Sequence, residues 1–178
     1  MKFAFLLFWI TLFIPTEMES IYSFTSQNTV GDWRIVNDGV MGGISKSSLL
    51  LTSSGHGKFA GHVSLANNGG FASIQLNKKI GLTAENKFVL LKVKGDGKQY
   101  EFRIKAKTSQ NASYVHPFST SGEWQLIKLP LAQFYPQFFG RILDSPNFNF
   151  QTIEQLSFLI ANKREEDFEL LIDFIGVE

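Results

Sequence analysis

The residues able to do chemistry in this chain are few, and the acids come first. Asp38, Asp96 and Asp173 stand at motif positions, so they are the carboxylates a hydrolytic site would draw on. They are scattered, and Asp173 reads as facing outward or anchoring a turn. The three histidines, His56, His62 and His116, are also far apart and lack the short intervals of a metal site. His62 falls on the outward face of its strand and His116 precedes Pro117, so each reads as a surface residue. There are no cysteines, which removes disulfides, thiolate metal sites and thiol nucleophiles together. No G-x-S-x-G elbow, phosphate-binding loop or dinucleotide fingerprint occurs. No catalytic residue, metal ligand or cofactor is assigned, and the reading is non-enzymatic.

Two glycine-rich stretches could instead serve binding. In NDGVMGGIS, residues 37–45, Asn37 and Asp38 can bond their own backbone and Gly39 can adopt a left-handed turn. Met41 looks exposed. Gly42 and Gly43 let the backbone approach a neighbouring segment or a ligand closely, and Ser45 closes the motif. The stretch is not expected to follow a strand and open a helix, so it is no phosphate loop. It reads as a scaffold turn first and a binding loop second. If the turn reading holds, Gly43→Val lowers stability sharply and Asp38→Ala costs about 1 kcal/mol. Gly95-Asp96-Gly97 reads as a tight turn, since calcium would need oxygen ligands from several positions and only Asp96 is offered.

The elements that position these residues read as strands. Residues 59–66, 72–76 and 100–107 alternate with period two, 89–94 reads as a further strand, and within 100–107 Tyr100, Phe102, Ile104 and Ala106 share one face. The runs 89–94 and 100–107, joined across the Gly-Asp-Gly turn, read as a β-hairpin. WQLIKLPL, residues 124–131, is apolar on both faces and is expected inside a sheet until Pro130 ends it. Residues 156–161 and 168–175 supply two more strands, and 22–24 and 49–51 two short ones. That makes roughly eight or nine strands at regular spacing, a sandwich or jelly roll. Eighteen phenylalanines suit an aromatic core. The connection 132–152 is long and rich in aromatics, among them Phe134, Tyr135, Phe138, Phe139, Phe148 and Phe150. It reads as a lid over one end of the core or as an apolar contact surface. The charge run 163–167 reads as a solvated turn.

Length and charge narrow the field further. At 178 residues the chain suits one domain. With 17 basic against 16 acidic residues, it lacks the basic excess of a nucleic-acid binder. Lys2 precedes an apolar run over residues 3–14, broken only by Thr11, which fits a secretory signal peptide or an N-terminal anchor. Residues 1–20 are therefore set apart from a folded domain at 21–178, and the periplasm or cell envelope is the expected location.

Taken in order, the motifs resemble the complex I intermediate-associated protein 30 family. They begin with Trp33 followed by N-D-G-V-M-G-G-x-S at 37–45, then F-x-G at 59–61 and G-G-F-A-S at 69–73. K-G-D-G-x-x-Y follows at 94–100, then E-W-Q at 123–125 with Leu129-Pro130, and the F-x-P…G-R of Phe134, Pro136, Gly140 and Arg141. F-x-L-x-I-D-x-I closes the set at 168–175. The resemblance covers nearly all of the chain after the leader, and the leader marks it as a bacterial-type exported member. It implies an all-β fold, a single jelly-roll β-sandwich like the galactose-binding domain. It also implies a chaperone-like or assembly role with protein partners, as in mitochondrial members that help build respiratory complex I, and it transfers no catalytic residues. A second expectation, carbohydrate binding, rests on the architecture alone. Trp124, Tyr135 and Tyr100 are its candidate aromatic platforms. Oligomeric state is left open.

Overall fold

The computed structural model describes residues 18–25 and 30–178. The leader, apart from its last residues, lies outside them. Among the described residues no helix is long and apolar enough to cross a membrane.

Alternating sequence becomes alternating strand throughout. The first strands are β1 (Glu19–Ser23), β2 (Trp33–Ile35), β3 (Lys46–Leu51), β4 (Gly57–Val63) and β5 (Ala72–Gly81). β6 (Phe88–Lys94), β7 (Gln99–Lys105), β8 (Ser113–Ser119) and β9 (Trp124–Pro130) follow. β10 (Tyr135–Phe138), β11 (Arg141–Ile142), β12 (Thr152–Ile160) and β13 (Glu166–Val177) complete the set. All pairings are antiparallel, and they form two sheets. One runs β3-β4-β13-β6-β9, with β1 added beside β13; the other runs β11-β10-β8-β7-β12-β5-β2. The architecture is the expected all-β jelly-roll sandwich.

The inner faces of both sheets meet in an aromatic core. Phe59, Tyr100, Phe102, Phe134 and Phe158 are fully buried. Phe102 and Phe158 meet edge to face at 5.0 Å between ring centroids, and Phe59 and Phe168 do so at 4.8 Å. Such pairs add roughly 0.5–1.5 kcal/mol beyond the area they bury. Tyr100, Phe102, Ile104 and Ala106 all point inward.

Three expectations need correction. There are thirteen strands among the described residues, the surplus coming from β2, β8, β10 and β11. β9 is an edge strand, not an interior one: it pairs only with β6, and Leu126 on it is exposed. Its apolar residues divide between core-facing Leu129 and outward Leu126, and an edge also accommodates Pro130. The long connection carries its own structure, a hairpin of β10 and β11. Its aromatics divide as well. Phe134 and Phe148 plug the core, while Phe138, Phe139 and Phe150 stay exposed.

Candidate functional site

NDGVMGGIS links the two sheets between β2 and β3. Contrary to the sequence reading it does follow a strand and open a helix, but that helix is a four-residue 3-10 turn, Asp38–Met41. Gly42 ends the turn at φ +91°, where a side chain would be strained. Gly42 N–H donates to the Gly39 carbonyl at 3.1 Å, and Gly43 N–H to that of Asp38 at 3.1 Å.

Asp38 is fully buried beneath this turn. Its carboxylate accepts the Ser45 N–H at 3.0 Å, the Ser45 hydroxyl, the Gly70 N–H at 2.7 Å and the Phe71 N–H at 3.3 Å. Ser45 Oγ in turn accepts the Ser64 N–H at 2.9 Å. Asn37 extends the network: its Oδ1 accepts the Ser47 hydroxyl at 2.8 Å and the Ser73 N–H at 3.3 Å. A Cβ on Gly43 would collide with the Asp38 carboxyl, and one on Gly69 would lie 2.7 Å from Asp38 Oδ2. These two glycines therefore give the acid its space. Burial alone would raise the Asp38 pKa, but the donors from Ser45, Gly70 and Phe71 outweigh it and hold the group below its usual value.

The polar atoms of the motif are thus consumed inside the protein, and its apolar ones are turned out. Val40, Met41 and Ile44 are 76%, 55% and 53% exposed, and Leu65, just before the 3-10 turn Ala66–Asn68, is also exposed. The sequence reading singled out Met41 but missed Val40, Ile44 and Leu65. Their exposure follows from burial of the acid between them, and no periodicity announces it.

Asp96 is held differently. Its Oδ1 accepts the Tyr100 hydroxyl at 2.9 Å, and its Oδ2 lies 2.6 Å from Lys98 Nζ and accepts the Glu169 N–H at 3.0 Å. Burial opposes ionisation here too, but Lys98, Glu169 N–H and Tyr100 together lower its pKa. Burial, with Asp96 beside it, pushes the Tyr100 phenol up. Tyr100 is a core residue and no exposed platform.

Trp124 is half-buried at the start of β9 with its ring 4.6 Å from that of His56. Asp173 Oδ1 is 3.5 Å from Nδ1 of the same histidine. Arg141 is exposed on β11. His62 is exposed beside Asp167 at 2.8 Å, whereas His116 turns inward against Phe134, ring centroids 5.3 Å apart, instead of lying on the surface. Among the described residues Asp38, Asp96 and Asp173 have no side-chain bonding partner in common. Among the described residues no cluster of His, Asp or Glu could hold a metal.

The family model for complex I intermediate-associated protein 30 matches residues 22–172. The chain belongs to this family. The probable mitochondrial complex I intermediate-associated protein 30 of Caenorhabditis elegans is 30% identical over 179 aligned positions, covering 88% of this chain and 53% of that protein. The chain thus spans about half the length of that curated relative. Among solved structures, the family 11 carbohydrate-binding module of a cellulosomal cellulase of Clostridium thermocellum has a similar fold, with TM-score 0.68 and 13% identity. That match covers 92% of this chain and 95% of the module. A complex of such a module with a β-1,3-1,4-mixed-linked tetrasaccharide gives TM-score 0.66 at 14% identity, covering 90% and 94%. The complex I intermediate-associated protein 30 domain is thus a jelly-roll sandwich here. The buried Asp38 belongs to the N-D-G-V-M-G-G-x-S motif at 37–45.

Proposed function

We propose that this chain is a non-enzymatic binding module that holds protein during assembly of a membrane-bound, complex I-like respiratory complex. The observation that carries the reading is the apolar rim of Val40, Met41, Ile44 and Leu65, fixed from below by Asp38. Exposed apolar groups on a turn anchored by a buried, hydrogen-bonded acid suit contact with a partial hydrophobic surface, as an assembly intermediate presents. Family membership supports the same role. The Lys2-led apolar leader supports action in the periplasm or cell envelope. The test is affinity capture from native membranes in gentle detergent, with Val40→Asp/Met41→Asp beside the wild type. Wild type should recover membrane-complex subunits, and the variant should lose them with unchanged melting. Recovery of no protein partner by the wild type would sink the proposal.

The fold neighbours support a second reading, carbohydrate binding. Of its three aromatic platforms, Tyr100 is buried and Trp124 packs on His56. Tyr135 alone stands among polar groups on a sheet face.

A further inference from the structure

The outer face of the seven-stranded sheet is polar and sheltered. Strand register aligns Arg34, Gln75, Ser157, Arg103, Val115 and Tyr135 in one continuous row across β2, β5, β12, β7, β8 and β10. At strand spacings of about 4.8 Å the row runs for roughly 24 Å. Beside it, Asn77, Gln155 and Lys105 form a shorter second row. These residues point away from the core, yet Gln155, Ser157 and nearby Gln137 are no more than 8% exposed. An open sheet face would leave such side chains in water. Here Arg34 stands exposed at one end, while Val115, Ser157 and Gln155 on the inner strands are buried by neighbouring side chains.

The hydrogen-bonding capacity of this trough is only partly used. Arg34 Nη2 donates to Gln75 Oε1 at 2.9 Å, Arg103 to Gln137 Oε1 at 2.8 Å, and Gln155 Nε2 to Asn77 Oδ1 at 2.8 Å. These bonds fix the amides in place. The hydroxyls of Ser157 and Tyr135 and the amide nitrogen of Gln75 retain their capacity for a ligand. Charge is unbalanced as well. Arg103 pairs with Glu101, but neither Arg34 nor Lys105 has a carboxylate partner among the described residues; Lys105 Nζ donates to the Gln110 carbonyl at 2.9 Å. Burial disfavours the Lys105 ammonium, and the positive charge of Arg34 disfavours it further.

We infer that this trough binds a linear acidic oligosaccharide, with uronate-type carboxylates facing Arg34 on β2 and Lys105 on β7. The sugar hydroxyls engage Gln75, Ser157 and Gln155, and Tyr135 supplies the ring against which a sugar face rests. Length favours an oligomer over a single sugar. Preformed amides suit hydroxyls, and the unpaired cations select the acid. This specifies the carbohydrate reading and is independent of the apolar rim.

The test is calorimetric titration of the purified chain with a linear oligogalacturonate, the neutral galactose oligomer of equal length, and oligoglutamate. Oligogalacturonate should bind at least tenfold tighter than either control. Arg34→Ala and Lys105→Met should each lower its affinity about tenfold, and Tyr135→Ala should lower affinity for any sugar, all with unchanged melting. Equal binding of the neutral oligomer overturns the acidic class while leaving sugar binding in place. Equal binding of oligoglutamate reduces the trough to a site for anions. Silence toward both sugars, or affinity unmoved by all three substitutions, overturns the proposal entirely.

Discussion

Asp38 and Asp96 are both aspartates in glycine-flanked turns, and both ionise more readily than an ordinary carboxyl. They are stabilised by opposite means. Asp96 is half-buried and has a cation beside it in Lys98. Asp38 is wholly buried and among the described residues has no cation partner, only N–H and O–H donors from two separate segments, Ser45 and Gly70-Phe71. A charge held by neutral dipoles depends on their fixed placement, because they cannot follow it as a lysine can. The Asp38 turn is therefore a joint whose geometry must be built all at once, and the Asp96 turn is a local clasp.

The largest break in this comparison should come from Asp38→Ala. It strands the N–H groups of Ser45, Gly70 and Phe71 and should cost about 3 kcal/mol in chemical denaturation, well above the loss of about 1 kcal/mol expected from sequence. Gly43→Val should cost about 2–3 kcal/mol on the same measurement, because the added Cβ meets the Asp38 carboxyl. Asp96→Ala should cost about 1 kcal/mol, since the Tyr100 hydroxyl keeps the Glu169 carbonyl at 3.1 Å as an acceptor.

Acid sharpens the contrast. Both carboxyls have folded pKa values below the ordinary one, so their stabilisation is complete above about pH 4. It is lost as pH falls through the lowered folded values, where the unfolded chain already holds more protons. A stability profile should flatten in this window for both Asp38→Asn and Asp96→Asn. The smallest effect should be that of Lys98→Met, under about 1 kcal/mol and shrinking as salt is added. The Asp38→Ala deficit should not change with salt, and a salt-dependent deficit would contradict the role given to neutral donors.

Much of the sandwich was legible because alternation is a local property. Residues 100–106 declare a face in the sequence itself, and the structure keeps it. β8 escaped notice because SYVHPFS carries a proline, which speaks against a strand with neighbours on both sides. β10 extends along β8 only as far as Val115, so Pro117 lies where that flank is open. The candidate site was less legible. The acid and its glycines were found as a motif, but Gly70 and Phe71, which explain it, lie 32 and 33 residues away. The polar trough could not be read at all, since its row exists only once six strands have been set in register.

β13 carries a different consequence. It lies at the centre of its sheet, with β6 on one flank and β4 and β1 sharing the other end to end. The first strand of the domain thus completes itself on the last. While the polypeptide emerges from the ribosome, β1, β3 and β4 have no centre to join, and that sheet closes only after residues 166–177 arrive. Folding of this half is an event of the finished domain, and the emerging chain must be kept from aggregating until then. Removing β13 should leave β1 without a partner and open aggregation-prone edges on β4 and β6 instead of yielding a shorter stable sandwich.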